Sequence, residues 1–336
     1  MVDKKIKIGQ IGVGYWGPNL LRNLISNSRA ELIKVVDISE NRRKYVSSLY
    51  PEINVSSDVN EIFSNSNIDA VVIATPVKTH FDLAIRGLKS GKHILVEKPM
   101  STKISEVEEI EKIASKKKLI AMSGHTFLFN NAVKYVKKII DSGGLGKIRY
   151  IYSQRLNLGR IRSDVDALWN FAPHDLSIIN YWLDDLEPQT VKRSGMAYVQ
   201  EGIEDVSFLN LTYPNNILVN IHVSWLDPHK IRKMTVVGSK KMIVYDDLAE
   251  NKVIIYDKGI DRMAVLGENM DFDKNESNTF NHRSGDINFP VISWEEPLKQ
   301  EVNHFIDCII NGEKCISGIK HTKKVVSILQ QSINKK

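Results

Sequence analysis

The sequence predicts an α/β chain of two domains: a parallel sheet wrapped by helices, followed by an α+β domain built on an open, mostly antiparallel sheet. Three observations predict it. Up to about residue 123, short apolar runs alternate with amphipathic helical patterns, which is the rhythm of βαβ units. From Thr190 onward strand follows strand, separated by turn residues. At 336 residues and 42% hydrophobic, the chain can build two cores rather than one. The expected division is 1–123 and 124–336, with the closing helices returning to pack on the first domain.

In the first domain the strand patterns fall at Ile6–Ile11, 32–37, 53–55, 70–75, His93–Glu97 and 119–122. Helices fill the gaps: Leu20, Leu21, Leu24 and Ile25 give one apolar face, Leu83, Ala84 and Leu88 another, and Val107, Ile110 and Ile113 a third. Gly91 sits where a C-cap glycine ends a helix. Beyond residue 124 a helix over 132–140 stops at Gly143-Gly144, a strand covers 148–154, and a helix starts at Pro173 and ends near Trp182. Strands Val206–Tyr213 and 217–225 flank a Tyr-Pro-Asn-Asn turn, and 234–237, 241–245 and 252–256 continue a meander. The Asp/Asn-rich stretch 267–288 reads as a long polar loop, and helices over Pro297–Ile310 and 322–333 close the chain. There is no internal repeat.

The formal net charge is +6, but the lysines are scattered in short runs such as Lys116 to Lys118, Lys137-Lys138 and Lys323-Lys324. Several fall in the last turn of a predicted helix, where a cation complements the dipole, so nucleic acid is not implied. A mildly basic surface does suit an anionic small substrate such as a sugar phosphate or nucleotide sugar. No apolar run approaches the ~20 residues that cross a bilayer, and the N-terminus runs directly into a strand, so a cytoplasmic protein is expected. Cys308 and Cys315 read as ordinary thiols of a reducing compartment. With nine dispersed histidines and no H-E-x-x-H, C-x-x-C or G-x-S-x-G, no metal site and no acyl-transfer nucleophile is predicted.

Gly12-Val13-Gly14-Tyr15-Trp16-Gly17 is a G-x-G-x-x-G set between a strand and a helix, and Asp37 ends the next strand about 20 residues on. Gly12 permits the tight turn, Gly14 lets backbone approach a pyrophosphate, and Gly17 allows close helix packing at an N-terminus that attracts the anion. Pro18 fits in the first turn, where a missing N–H costs nothing. A carboxylate at Asp37 accepts from a ribose 2′-hydroxyl and repels a 2′-phosphate, which favours NAD; Arg42 and Arg43 keep NADP open. The plainer alternative is that the glycines only turn the chain and Asp37 only caps a helix.

Two further strand ends carry Thr75-Pro76-Val77-Lys78-Thr79-His80 and Glu97-Lys98-Pro99, placing Lys98 at the carboxyl edge of a parallel sheet, where such folds bind ligands. Taken alone, Lys98 reads as a solvated loop residue. Together with the glycine loop, the acidic strand end and a later His174, the order of these motifs over nearly the whole chain resembles the Gfo/Idh/MocA oxidoreductase family. The resemblance implies a Rossmann domain and an open antiparallel substrate sheet whose outer face joins subunits into a homodimer or homotetramer. It also implies a cis Lys98-Pro99 bond and hydride exchange at a sugar ring carbon. Cofactor contacts carry over to Gly12, Gly14, Tyr15, Trp16, Gly17, Asp37, Thr75, Pro76, His80, Glu97 and Lys98, and catalysis to Lys98 and His174.

The family's Asp followed four residues later by His reads here as Asn170 and His174. Asparagine can hold a substrate hydroxyl but cannot take up a proton, so the acid/base role falls on His174. Pro173 is expected to place His174 in the first turn of its helix, where the dipole keeps imidazole neutral, and Asp175 then reads as an ordinary helix-start carboxylate. Substrate contacts are assigned to Asn170, Arg155, Arg162 and Asp166, with Arg160, His125 and His229 as weaker candidates. The stretches Trp16 to Asn19 and Leu168 to Leu176 look most like the branch that works on nucleotide sugars in surface-polysaccharide or amino-sugar biosynthesis. A free-polyol or inositol dehydrogenase is the alternative enzyme. A cofactor-binding regulator that lost its chemistry is the alternative class, suggested by Asn170.

Overall fold

The computed structural model describes residues 5–159, 161–262 and 280–333. The chain divides into two compact units, one of Met1–Asn131, Trp169–Asp185 and Trp294–Lys336, the other of Ala132–Leu168 and Leu186–Ser293.

The first unit holds strands β1 (Ile6–Ile11), β2 (Ala30–Val36), β3 (Asn54–Ser56), β4 (Ala70–Ile73), β5 (His93–Glu97) and β6 (Ala121–Gly124). They pair in parallel in the order β3-β2-β1-β4-β5-β6, the doubly wound order of dinucleotide-binding sheets. Helices α1 (Gly17–Ile25), α2 (Glu40–Leu49), α3 (Asn60–Phe63), α4 (His80–Lys89) and α5 (Ile104–Lys117) connect them. Both faces of the sheet are covered, which is why β4 is buried along its whole length and shows no alternation. On one face Ile8 and Val35 pack with Leu20, Leu21 and Leu24 of α1 and with Val302, Phe305 and Ile306 of α8 (Pro297–Ile310). On the other, Ile11, Val71 and Ile73 pack with Leu83 and Leu88 of α4 and Ile110 of α5. Each such side chain contributes about 1.5–3 kcal/mol of transfer free energy.

The closing segment thus completes the first core. The connection from α8 to α9 (Ile319–Ile333) extends the edge of the sheet: the Ser123 amide donates to Ser317 O at 3.0 Å, beside a bridge between Met122 and Gly318. On α9, Lys323 pairs with Glu108 and Glu111 of α5.

After α6 (Asn131–Asp141) the second unit builds an eight-stranded sheet from β7 (Ile148–Leu158), β8 (Thr190–Met196), β9 (Val206–Tyr213), β10 (Ile217–Ser224), β11 (Leu226–Gly238), β12 (Met242–Asp246), β13 (Val253–Arg262) and β14 (Phe280–Asn288). Its order is β14-β13-β12-β11-β7-β10-β9-β8. Leu209, Leu211, Val219, Ile221 and Val223 are buried on one face, while Phe208, Leu218 and Tyr150 stand exposed. The turn joining β9 to β10 places Asn215 and Asn216 at φ of 63° and 59°, a left-handed conformation that asparagine tolerates.

Three expectations are corrected. The sheet is not a pure meander, because β7 inserts between β10 and β11 and runs parallel to β10; periodicity identifies a strand but not its neighbours. Residues 280–288, read as part of a polar loop, form β14 against β13, an edge strand whose polar side chains need no buried partner; the rest of that stretch up to residue 279 lies outside the described residues. Helix α7 (Ala167–Trp182) begins at Ala167, not at Pro173. Its first amide donates to Glu204 O at 2.9 Å, so the start is set by a contact distant in sequence.

Candidate active site at the carboxyl edge of the parallel sheet

The glycine loop leaves β1 where the strand order reverses. Gly12 has φ +94°, and a Cβ there would lie 2.6 Å from Ala74 O; a Cβ on Gly17 would lie 2.5 Å from Gly12 O. Gln10 locks the turn from beneath, its Nε2 donating to Gly12 O at 3.0 Å and Gly17 O at 2.9 Å. The first turn of α1 has no side-chain cap and no acidic residue, and beside Gly14 nothing lies within 4 Å of where a Cβ would sit. An uncapped helix N-terminus facing open space at a glycine fits a pyrophosphate. Tyr15 is exposed and Trp16 partly so.

Asp37 braces this loop: one carboxylate oxygen accepts from the Val13 amide at 2.7 Å and the other from the Ser39 amide at 2.8 Å. A carboxylate has about four acceptor positions, so these bonds leave capacity for ribose hydroxyls. Arg43 donates to Asp37 O and Ile38 O at 2.7 and 3.0 Å, which engages its guanidinium with main chain.

His80 is buried, with Nε2 2.7 Å from Thr75 O and Nδ1 2.8 Å from Pro99 O. It therefore bolts the loop after β4 to the loop after β5, where the Lys98-Pro99 bond is cis. Thr75 accepts from the Thr79 hydroxyl at 2.7 Å, and Pro76 leads into a short turn over Val77–Thr79.

From the end of β5 the Lys98 ammonium donates to the main-chain carbonyl of Asn170 at 2.9 Å. Pro173 lies inside α7, one residue before His174, and has no amide to give to Trp169 O. Helical carbonyls point toward the C-terminus, which sets the ammonium near the turn of His174, and side chains at 170 and 174 share one face. The His174 ring stands edge-on to Phe127, centroids 4.9 Å apart. Because α7 starts at Ala167, His174 is mid-helix, and the expected helix-start dipole does not act on it. Asp175 is likewise mid-helix and buried rather than a helix-start carboxylate.

Burial pushes the Glu97 carboxyl up to about 7, against the pull of the neighbouring Lys98 charge and of hydrogen bonds from the Lys98 amide and the Trp16 side chain. Burial, together with the nearby Glu97, holds Glu301 of α8 well above the carboxylate range; Glu301 accepts from the Thr126 hydroxyl at 2.8 Å. His125, following β6, is buried and kept neutral by burial, His321 and Lys98. Its ring meets His321 edge-on at 5.4 Å, and His321 in turn contacts Ser177 at 2.8 Å and Asp185 at 3.3 Å. Gln10, Glu301 and His321 were not singled out from the sequence. A glutamine inside an otherwise apolar strand was the one legible signal among them.

The second unit holds the other assigned residues. Arg155 is buried in β7. Arg162 forks onto Asp164 at 2.8 and 2.6 Å. Asp166 binds Arg193 at 2.6 Å, in a buried cluster where Arg193 also meets Glu204. His229 is exposed, and Arg160 lies outside the described residues.

A doubly wound sheet with an anion-ready glycine loop, and a lysine and histidine gathered at its carboxyl edge, define a nicotinamide-dependent oxidoreductase. Residues 6–125 match the profile of the GFO/IDH/MocA oxidoreductase family with NAD-binding Rossmann fold, and residues 133–244 match the GFO/IDH/MocA C-terminal domain. The chain belongs to this family. A 2,7-anhydro-N-acetylneuraminate hydratase from Mediterraneibacter gnavus is 22% identical over 337 residues, covering 96% of this chain and 88% of that protein. The UDP-N-acetylglucosamine 3-dehydrogenase of Acidithiobacillus ferrooxidans is 25% identical over 255 residues, covering 76% and 78%. Among solved structures, the WlbA dehydrogenase from Bordetella pertussis, in complex with NADH and UDP-GlcNAcA, superposes with TM-score 0.77 at 19% identity, covering 98% and 96%; that likeness is one of fold.

The raised Glu97 carboxyl has a measurable consequence. Unfolding returns it to an ordinary value of 4.5, so between there and about 7 the folded chain binds more protons than the unfolded one, and its contribution to stability falls as pH rises. Glu97→Gln removes this dependence. In thermal denaturation of the cofactor-free protein, the variant gains on the wild type as pH rises through that window; a constant difference would show that Glu97 titrates normally.

Proposed function

We propose that this chain is a cytoplasmic NAD(H)-dependent dehydrogenase or ketoreductase acting at a hydroxyl or ketone carbon of a nucleotide sugar, in surface-polysaccharide or amino-sugar biosynthesis. The observation that carries it is the Lys98 ammonium on the Asn170 carbonyl, one turn before His174, in the same unit as the glycine loop. The similarity to a UDP-N-acetylglucosamine 3-dehydrogenase supports the substrate class.

In this reading the loop amides from Gly12 to Gly17 hold the pyrophosphate, Asp37 the adenosine ribose, and the Thr75-Pro76 and Glu97-Lys98 edges the nicotinamide half. His80 keeps those two edges in register. The nicotinamide, when bound, exchanges hydride with the substrate carbon. Lys98 donates to the substrate oxygen and stabilises the negative charge that develops there, while His174 takes up the hydroxyl proton. The bond to Lys98 uses the Asn170 main chain, so an asparagine in place of the family's aspartate preserves it, and the Asn170 amide serves as a substrate contact. Arg155, Arg162 and Asp166 complete the proposed substrate contacts; Arg162 already grips a carboxylate in the two-pronged manner that suits a diphosphate.

The exposed face of the second sheet, with Tyr150, Phe208 and Leu218, is proposed to pair with a second copy of the chain. Sedimentation at micromolar concentration should then give a dimer or tetramer, and a monomer would refute it.

If Asp37 reads the ribose, calorimetric titration should show tighter binding of NAD(H) than NADP(H), and Asp37→Ala should narrow the gap. Stronger NADP(H) binding by the wild type would assign the preference to Arg42 or Arg43.

Catalysis is tested with Lys98→Ala, His174→Ala and the double variant, assayed by nicotinamide absorbance against nucleotide sugars, free sugars and polyols. Each single loss should slow turnover by ~100 to 10,000-fold with cofactor affinity intact. The double loss should fall well short of the product, because both groups act on one oxygen. Full activity in His174→Ala would remove it as the base. Turnover confined to free polyols would refute the nucleotide-sugar assignment, and no turnover despite tight cofactor binding would make the chain a regulator.

A further inference from the structure

Far from the glycine loop in sequence, α8 and the connection after it bring together two thiols and an imidazole. His304 and Cys308 lie four residues apart, hence on one face of the helix, and Cys315 comes from the connection to α9. One ligand atom from each lies within 4.8 Å of the others, and His304 Nε2 is 3.4 Å from Cys308 Sγ. Among the described residues no other group of histidine, cysteine and acidic side chains converges in this way. Cys308 is buried and Cys315 half-buried.

We propose that His304, Cys308 and Cys315 form a binding site for a soft divalent metal ion of the zinc class. Zinc binds thiolate sulfur at about 2.3 Å and imidazole nitrogen at about 2.0 Å, so neighbouring donors of a tetrahedral site stand about 3.5–3.8 Å apart; His304 and Cys308 are already at 3.4 Å, and the whole set, within 4.8 Å, would contract onto the ion. Two sulfurs and one nitrogen are a donor set that excludes magnesium and calcium. The surroundings fit a ligating histidine. Nε2 accepts from the Ile316 amide at 3.1 Å, a bond that the ion would displace, and Nδ1 faces the Glu313 carboxylate at 3.7 Å. A carboxylate on the far nitrogen is the partner that commonly orients a metal-bound imidazole. The Phe129 ring, 5.4 Å from that of His304, limits its rotation.

Binding exchanges two thiol protons for the ion: Zn²⁺ and two R–SH give Zn(S–R)₂ and two protons released to buffer, with no redox change. Water fills the fourth position. The ion would fasten the α8–α9 connection, which already pairs with β6 through Ser317 and Gly318, and so the strand that precedes His125. Its spacing, H-x3-C-x6-C, lacks the paired C-x-x-C by which zinc sites are usually recognised.

The test is cobalt titration of the reduced, metal-free, full-length wild type under argon. Expected are sulfur-to-cobalt charge-transfer absorption and strong tetrahedral ligand-field bands that saturate at one ion per chain and are displaced by zinc. Cys308→Ser and Cys315→Ser should abolish the charge-transfer band while NADH binding persists. Glu313→Gln, a surface change that leaves the core untouched, should weaken metal affinity by roughly 10-fold. Absence of a thiolate–cobalt band in the wild type, or the same band in Cys308→Ser, would overturn the proposal. So would an as-purified mass two hydrogens low, from a Cys308–Cys315 disulfide, in protein that takes up no cobalt after reduction.

Discussion

One ammonium-to-carbonyl hydrogen bond, from Lys98 to Asn170, joins the carboxyl edge of the parallel sheet to a helix 72 residues further along the chain. A hydrogen bond with a charged partner contributes about 1.5–3 kcal/mol, a sizeable fraction of the margin by which a domain stays folded. This bond ties the lysine at the end of β5 to α7.

Around this bond the first unit is organised as a set of braces between strand ends. Gln10 fixes the glycine turn from below, Asp37 ties that turn to the end of β2, and His80 ties the end of β4 to the end of β5. Each of these side chains bonds to main-chain groups, so the strand ends are tied to one another by the protein itself. Burial raises the carboxyls of Glu97 and Glu301 above the ordinary carboxylate range.

Much of this was legible in the sequence because it is written in local pattern. The apolar rhythm identified all six parallel strands within a few residues, since buried parallel strands are continuous apolar runs. The glycine spacing located the turn, since only glycine tolerates φ +94° with a carbonyl 2.6 Å from the would-be Cβ. Asp37 and Lys98 are singled out by their places at strand ends, and His174 by the motif order that the chain shares with the family. The start of α7 was missed because proline ordinarily marks a first turn; here the helix continues upstream through apolar residues, buried at Ala167, Leu168 and Trp169. The β7 insertion was missed because no local signal says which strand a strand will pair with.

The sequence by itself determined the alternation of strand and helix in the first unit, the glycine loop between β1 and α1, and the lysine and histidine in their motif order, because periodicity, residue type and spacing carry these. Only the tertiary structure decided that Lys98 reaches the main-chain carbonyl of Asn170, and that Asp166 is matched with Arg193. It alone gathered His304, Cys308 and Cys315 at one point. The physical reason is common to all three. Hydrogen bonds, ion pairs and metal-donor geometries act over a few ångströms, and which groups come within that range depends on how whole elements pack, which neighbouring residues in sequence do not encode.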